Sequence, residues 1–211
     1  MNRYKRMSSL LLVILVGACL NFKEPGAKID FYTLEYEPPR ITGFRTLPVI
    51  IRLVRFSVAP SYNTDQMIYR DRSFRREAYV YHQWRANPGD LVTYFLSRDM
   101  QQSGLFEAVL PYESMLPSSF VVEGSVDEFF EWDDKDSWKA VLKVNITLMA
   151  ENEPDISKRV LFQKTYGKTE LCKQKNPPSL AGAMSLAMAG VSREIIEDIY
   201  SHLKARFKGG R

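Results

Sequence analysis

The chain has 211 residues, 45% hydrophobic and 26% charged, which suits one domain with a substantial core. Its net charge is +4, but Arg3, Lys5 and Arg6 supply three of those charges; removing residues 1–18 leaves +1, which takes the main support from a nucleic-acid binder. With only two cysteines, Cys19 and Cys172, the sequence offers no disulfide framework.

The three cations precede a short apolar run at residues 10–18. A bilayer-spanning helix needs roughly 20 such residues, so this run has the dimensions of a secretory signal peptide instead. Its end, Val16, Gly17 and Ala18 followed by Cys19, resembles the bacterial lipobox. The resemblance implies that the Cys19 thiol takes a diacylglyceryl group and that cleavage before Cys19 exposes an amine that is acylated in turn. The bland alternative is an ordinary signal-peptidase site with an incidental cysteine. On the lipobox reading, residues 1–18 are the signal, 19–27 the lipidated cysteine and tether, and 28–207 the folded domain. The covalent lipid on Cys19 is the one prosthetic group expected; no other cofactor and no metal is. Cys172 then has no intrachain partner and is read as buried and inert. Leu20 stands where an aspartate would resemble the inner-membrane retention signal, so the periplasmic face of the outer membrane is favoured over the inner membrane.

After the tether, "KIDFYTLEY" (28–36) and "LPVIIRLVRFSV" (47–58) read as strands, the second rich in β-branched residues. "DQMIYRD" (65–71) and "EAYVYHQWR" (77–85) follow as two more, joined by a charged turn. A helix is then signposted by Asn87 as cap, Pro88 in the first turn, Asp90 at the positive end and Gly104 as terminator. Leu91, Val92, Phe95, Leu96 and Met100 recur on its buried face, with Arg98, Asp99 and Gln102 facing solvent.

"LFEAVLP" (105–111) and "SFVVEGSVDEFFEW" (119–132) are the next strands. "WKAVLKVNITLMA" (138–150) alternates most clearly, and "KRVLFQKTYGKTEL" (158–171) follows a turn at 152–155. Pro177 and Pro178 open a last helix running to about Arg206, its stripe marked by Leu180, Met184, Ala187, Met188, Val191, Ile195, Ile199 and Leu203. Strands, helix, strands, helix predict a single α/β domain with a mixed sheet covered by two main helices.

Two clusters stand out. Arg70, Arg72, Arg75 and Arg76, interleaved with Tyr69, Phe74 and Tyr79, are candidate contacts for lipid phosphates or an acidic partner, against the plainer reading of a solvated turn. Asp127, Glu128, Glu131, Asp133, Asp134 and Asp136 read as a solvated hairpin tip, since they lack the spacing of a calcium loop. Of Phe129, Phe130, Trp132 and Trp138, two or three belong in the core by alternation, and Trp132 is the candidate exposed anchor for a partner. No Gly-x-Ser-x-Gly elbow or phosphate-binding glycine loop is present, so an enzyme is not expected.

Taken together, the lipobox, "FYTL" (31–34), "VAPSYNTDQMIYR" (58–70), "YHQWRANPGDLVTYFLSRDMQQSGLFEAVLP" (81–111) and "LAGAMSLAMAGVSREIIEDI" (180–199) resemble the ABC-type transport auxiliary lipoproteins of the PqiC type. The likeness runs over most of residues 28–203, although Asn63 and Thr64 stand where a Leu-Asp-like pair is expected. It implies a three-layer α/β sandwich. It also implies an accessory subunit beside an ABC ATPase and permease and a mammalian-cell-entry (MCE) domain protein, moving lipids or other hydrophobic molecules across a Gram-negative envelope. Such subunits also form rings or other homo-oligomers. The competing reading is an outer-membrane assembly or structural envelope lipoprotein unrelated to transport.

Overall fold

The computed structural model describes residues 28–209. The signal, the lipobox residues Val16, Gly17 and Ala18, Cys19 and the tether therefore lie outside the described residues. The elements are β1 (Asp30–Tyr32), β2 (Leu47–Leu53), β3 (Ser57–Val58), a 3-10 turn (Pro60–Tyr62), β4 (Gln66–Arg70) and β5 (Glu77–Trp84). Then come α1 (Pro88–Gln102), β6 (Phe106–Leu110), β7 (Phe120–Asp133), β8 (Trp138–Ala150), α2 (Ile156–Arg159), β9 (Val160–Leu171) and α3 (Pro177–Gly209).

All nine strands join one mixed sheet whose spine is β7. Along one edge β7 pairs antiparallel with β8, which pairs antiparallel with β9. Along the other edge it meets three parallel partners in succession: β2 at Phe120 to Val122, β3 at Ser125 and Val126, and β4 at Glu131 and Trp132. The sheet therefore forks, with β6 beyond β2 on one branch and β5 then β1 beyond β4 on the other.

The run read as one strand over 47–58 is interrupted at residues 54–56. The cause is Phe56, which buries its ring in the core and donates its amide to Thr93 Oγ1 at 3.0 Å. Two glycines make room for it: a Cβ on Gly89 would sit 2.5 Å from the Phe56 carbonyl oxygen, and one on Gly124 would sit 3.0 Å from its ring.

Helices α1 and α3 touch each other and cover one face of the sheet. The faces they bury are the expected ones. Leu91, Val92, Phe95, Leu96 and Met100 on α1, and Leu180, Met184, Ala187, Met188, Val191, Ile195, Ile199 and Leu203 on α3, are all buried. Asn87 caps α1 by accepting from the Gly89 amide at 3.0 Å, and Gly104 ends it in the left-handed conformation.

A third layer lies over the helices, formed by chain outside regular secondary structure. Only residues 30–32 of the strand read over 28–36 pair with the sheet; residues 33–46 leave it. There Tyr36 stacks on Phe95 with centroids 5.4 Å apart, the Glu35 amide donates to Ser185 Oγ at 2.9 Å, and the Tyr200 hydroxyl donates to the Arg45 carbonyl at 2.9 Å. Among the described residues no helix is long and apolar enough to cross a membrane.

Candidate functional site

Strand alternation decides which residues the open face of the sheet presents. On β8, Leu142, Val144 and Ile146 point under the helices, so Lys139, Val141 and Lys143 point away from them. Register carries this parity across to β7 and β4, because Phe130 pairs Val141, Trp132 pairs Lys139, and Arg70 pairs Trp132. Arg70, Phe130, Trp132 and Lys139 therefore share one surface.

On that surface cations and rings alternate. The Arg70 guanidinium carbon lies 4.1 Å from the Trp132 centroid and 5.4 Å from that of Phe130, and Lys139 Nζ lies 5.0 Å from Trp132. Arg76 sits 4.8 Å over Phe130 and donates from Nε to the Tyr62 hydroxyl at 3.1 Å. Tyr62 stacks on Phe130 at 5.6 Å with the planes 10° apart. Covered this way, Phe130 is only 3% exposed on a face without helices, while Trp132 stays 38% exposed.

Stacking leaves a guanidinium's edge free to donate. Among the described residues Arg70 is held by stacking on Trp132 and Phe130, a pose in which its edge can donate to a carboxylate or phosphate. Beside it lies a depression of about 300 Å³, lined by Trp132, Glu128, Lys143, Gly167, Lys168 and Thr169.

Of the five candidate contacts, the fold thus brings together Arg70, Arg76 and Trp132. Arg72 and Arg75, in the same β4–β5 turn as Arg76, do not join it: Arg75 Nε donates to Glu77 Oε1 at 2.6 Å, and Arg72 lies 3.7 Å from Asp71. Sequence reasoning missed Tyr62, whose position depends on the 3-10 turn crossing the sheet face. The departure at Asn63 has a local role, since Asn63 Oδ1 accepts from the Asn87 cap at 2.9 Å.

The acidic cluster is not uniformly solvated. Asp133 and Asp134 do sit at the hairpin tip, 3.4 Å from Lys175 and from Lys139 respectively. Glu131 is fully buried, on the helix side of β7, with both carboxyl oxygens 3.1 Å from the Tyr79 hydroxyl. Burial pushes its carboxyl up to about 8, only partly opposed by that hydrogen bond. Cys172 is also buried, and burial first, with the Glu131 charge adding to it, pushes its thiol up to about 11. Such a thiol carries little thiolate near neutrality.

Asp99 is a second correction. Its polarity places it toward solvent, yet it is fully buried, accepting from the Tyr36 hydroxyl at 2.7 Å and from Arg98 Nη2 at 2.7 Å. Arg98 in turn lies over both Tyr36 and Phe95, at 4.4 and 4.7 Å. This set fastens the third layer to α1.

Comparison with known proteins bears on the family and the fold. A family model described as "ABC-type transport auxiliary lipoprotein component" matches residues 32–196. No curated protein matches the sequence. Among solved structures, a protein from Xanthomonas campestris superposes with a TM-score of 0.76 at 14% identity, over 85% of this chain and 99% of its own. An uncharacterized protein gives 0.63 at 11% identity over 82% and 99%, and a hypothetical protein from Chlamydia trachomatis 0.53 at 10% over 75% and 99%. At these identities the likeness is one of fold: a single α/β domain with a curled mixed sheet.

Proposed function

Because this chain belongs to the family of ABC-type transport auxiliary lipoprotein components, we propose that it is the lipid-anchored periplasmic accessory subunit of an MCE-associated ABC system moving lipids or other hydrophobic molecules across the envelope. In this reading Cys19 carries the diacylglyceryl and acyl chains and holds the domain at the periplasmic face of the outer membrane. Two or more chains give durable attachment, at about 0.8 kcal/mol per buried methylene. The domain acts by binding and has no catalytic step.

The match across residues 32–196 is the observation that carries this reading. The packing supports a scaffold over a lipid carrier: Met184, Met188, Ile195 and Leu148 fill the space between α3 and the sheet with no exposure. The surface formed by Arg70, Arg76 and Trp132 is the proposed contact for an acidic face of the MCE-type component. Its aromatic-plus-arginine composition is that of residues which dominate protein interfaces.

The test is recovery of the native complex after mild cross-linking of envelopes. Co-purification of an MCE-domain protein with its permease and ATPase is the expected result. Recovery of envelope-assembly factors alone would replace this reading with that of an assembly or structural lipoprotein. The size of the recovered complex also reports whether the subunit self-associates.

A further inference from the structure

The turn between β4 and β5, residues 71–76, holds a side chain with no structural use. Phe74 is fully exposed and is the only described non-glycine residue with positive φ, at 65°. That conformation is costly for a bulky residue, and a glycine or asparagine would occupy it more easily. An aromatic ring held wholly in water on a strained backbone stabilises nothing within the fold. Next to it Arg72 keeps a side chain 75% exposed.

Topology says what this tip faces. β1 runs parallel to β5 with Asp30 opposite His82. The chain preceding Asp30 therefore enters from the end of the sheet where β5 begins, which is the end carrying the 71–76 turn. Six residue steps along β5 separate His82 from Arg76, a rise of about 20 Å. The eleven residue steps from Cys19 to Asp30 reach up to about 36 Å, enough to bring that end of the domain to a bilayer holding Cys19. The acidic β7–β8 tip lies at the same end, but Lys175 ties it down by donating to the carbonyls of Asp134 and Lys135 at 2.9 Å.

We infer that the β4–β5 turn is a membrane-contacting wedge: Phe74 enters the headgroup region of the bilayer that holds the anchor, and Arg72 meets its lipid phosphates. Phenylalanine supplies the apolar tip, and an arginine beside it matches the phosphate layer in geometry and charge. The contact fixes the orientation of the domain and sets the Arg70, Arg76 and Trp132 surface, at the same end of the sheet, close to the bilayer. This inference rests on lipidation of Cys19.

The test uses the full lipidated protein in vesicles of phosphatidylethanolamine and phosphatidylglycerol, with and without brominated acyl chains. Phe74→Trp places a reporter at the tip, and Ile156→Trp places one at the opposite end, where β8 turns into β9. After subtraction of the wild-type tryptophan signal, the position-74 emission is expected to fall about twofold in brominated vesicles and the position-156 emission to stay unchanged. Phe74→Gly is expected to melt no lower than wild type, since it relieves the backbone. A protein that stays on the vesicles with position 74 unquenched overturns the wedge and leaves the anchor standing. A protein that leaves the vesicles altogether overturns the anchor, and the wedge with it.

Discussion

The Glu131 carboxyl shows how far one residue's behaviour departs from its sequence neighbourhood. It stands among exposed aspartates, yet burial raises its folded-state pKa from 4.5 to about 8. The sign follows directly: between those two values the unfolded chain gives up a proton that the folded protein keeps. The stability linked to this proton is fully present below about pH 4.5, falls as pH rises, and is lost above about 8. Each pH unit between the two values corresponds to about 1.4 kcal/mol, so the whole effect is at most a few kcal/mol. Glu131→Gln keeps an acceptor for the Tyr79 hydroxyl and removes the titration. Its urea midpoint is expected to change less between pH 5 and pH 8 than that of wild type. An equal slope in both proteins would show that Glu131 is not the group responsible. Spacing was compatible with burial of both acids but did not decide it. Glu131 shares the face of Phe129, two residues before it, and Asp99 lies four residues after Phe95 and three after Leu96. Polarity argued for solvent in each case, but it could not reveal that Tyr79 and Tyr36, 52 and 63 residues distant in sequence, supply the hydrogen bonds.

Elements were legible wherever the signal is local. The ends of α1 are set by Asn87, Pro88 and Gly104, each acting within one turn of itself. Its position on the sheet is set by something else. Gly89 lets the first turn approach so closely that an added Cβ would lie 2.5 Å from the Phe56 carbonyl oxygen and 2.8 Å from Val58 Cγ2. Gly89→Ala is therefore expected to destabilise by about 1–3 kcal/mol, read as a lower thermal midpoint with unchanged helix content. A midpoint equal to wild type would mean that α1 shifts without cost. The same contact explains why the apolar run over 47–58 divides into β2 and β3: hydrophobicity marks a strand but not where its chain must bend to let a helix in. Arg55, freed by that bend, reaches Asp90 in the first turn of α1 with bonds of 2.5 and 2.7 Å.

For the whole molecule, the forked sheet puts the start of β1, the β4–β5 turn and the acidic hairpin at one end and the β8–β9 turn at the other. On the proposed lipidation of Cys19, this arrangement gives the domain a top and a bottom. Cys19→Ala is expected to leave a folded domain that no longer sediments with membranes; firm retention of that variant in a washed membrane fraction would refute the anchor. The amino-acid order alone determined the succession of strands and helices, the buried stripes of α1 and α3, and the candidacy of Cys19, because periodicity, capping and a lipobox are each carried by residues close together in the chain. Which arginines share a surface, which acids are buried, and which turn lies at the end of the sheet where β1 begins were decided only by the tertiary structure. Those properties depend on register between strands far apart in sequence, and a slip of a single residue would turn Arg70, Trp132 and Glu131 to the opposite face.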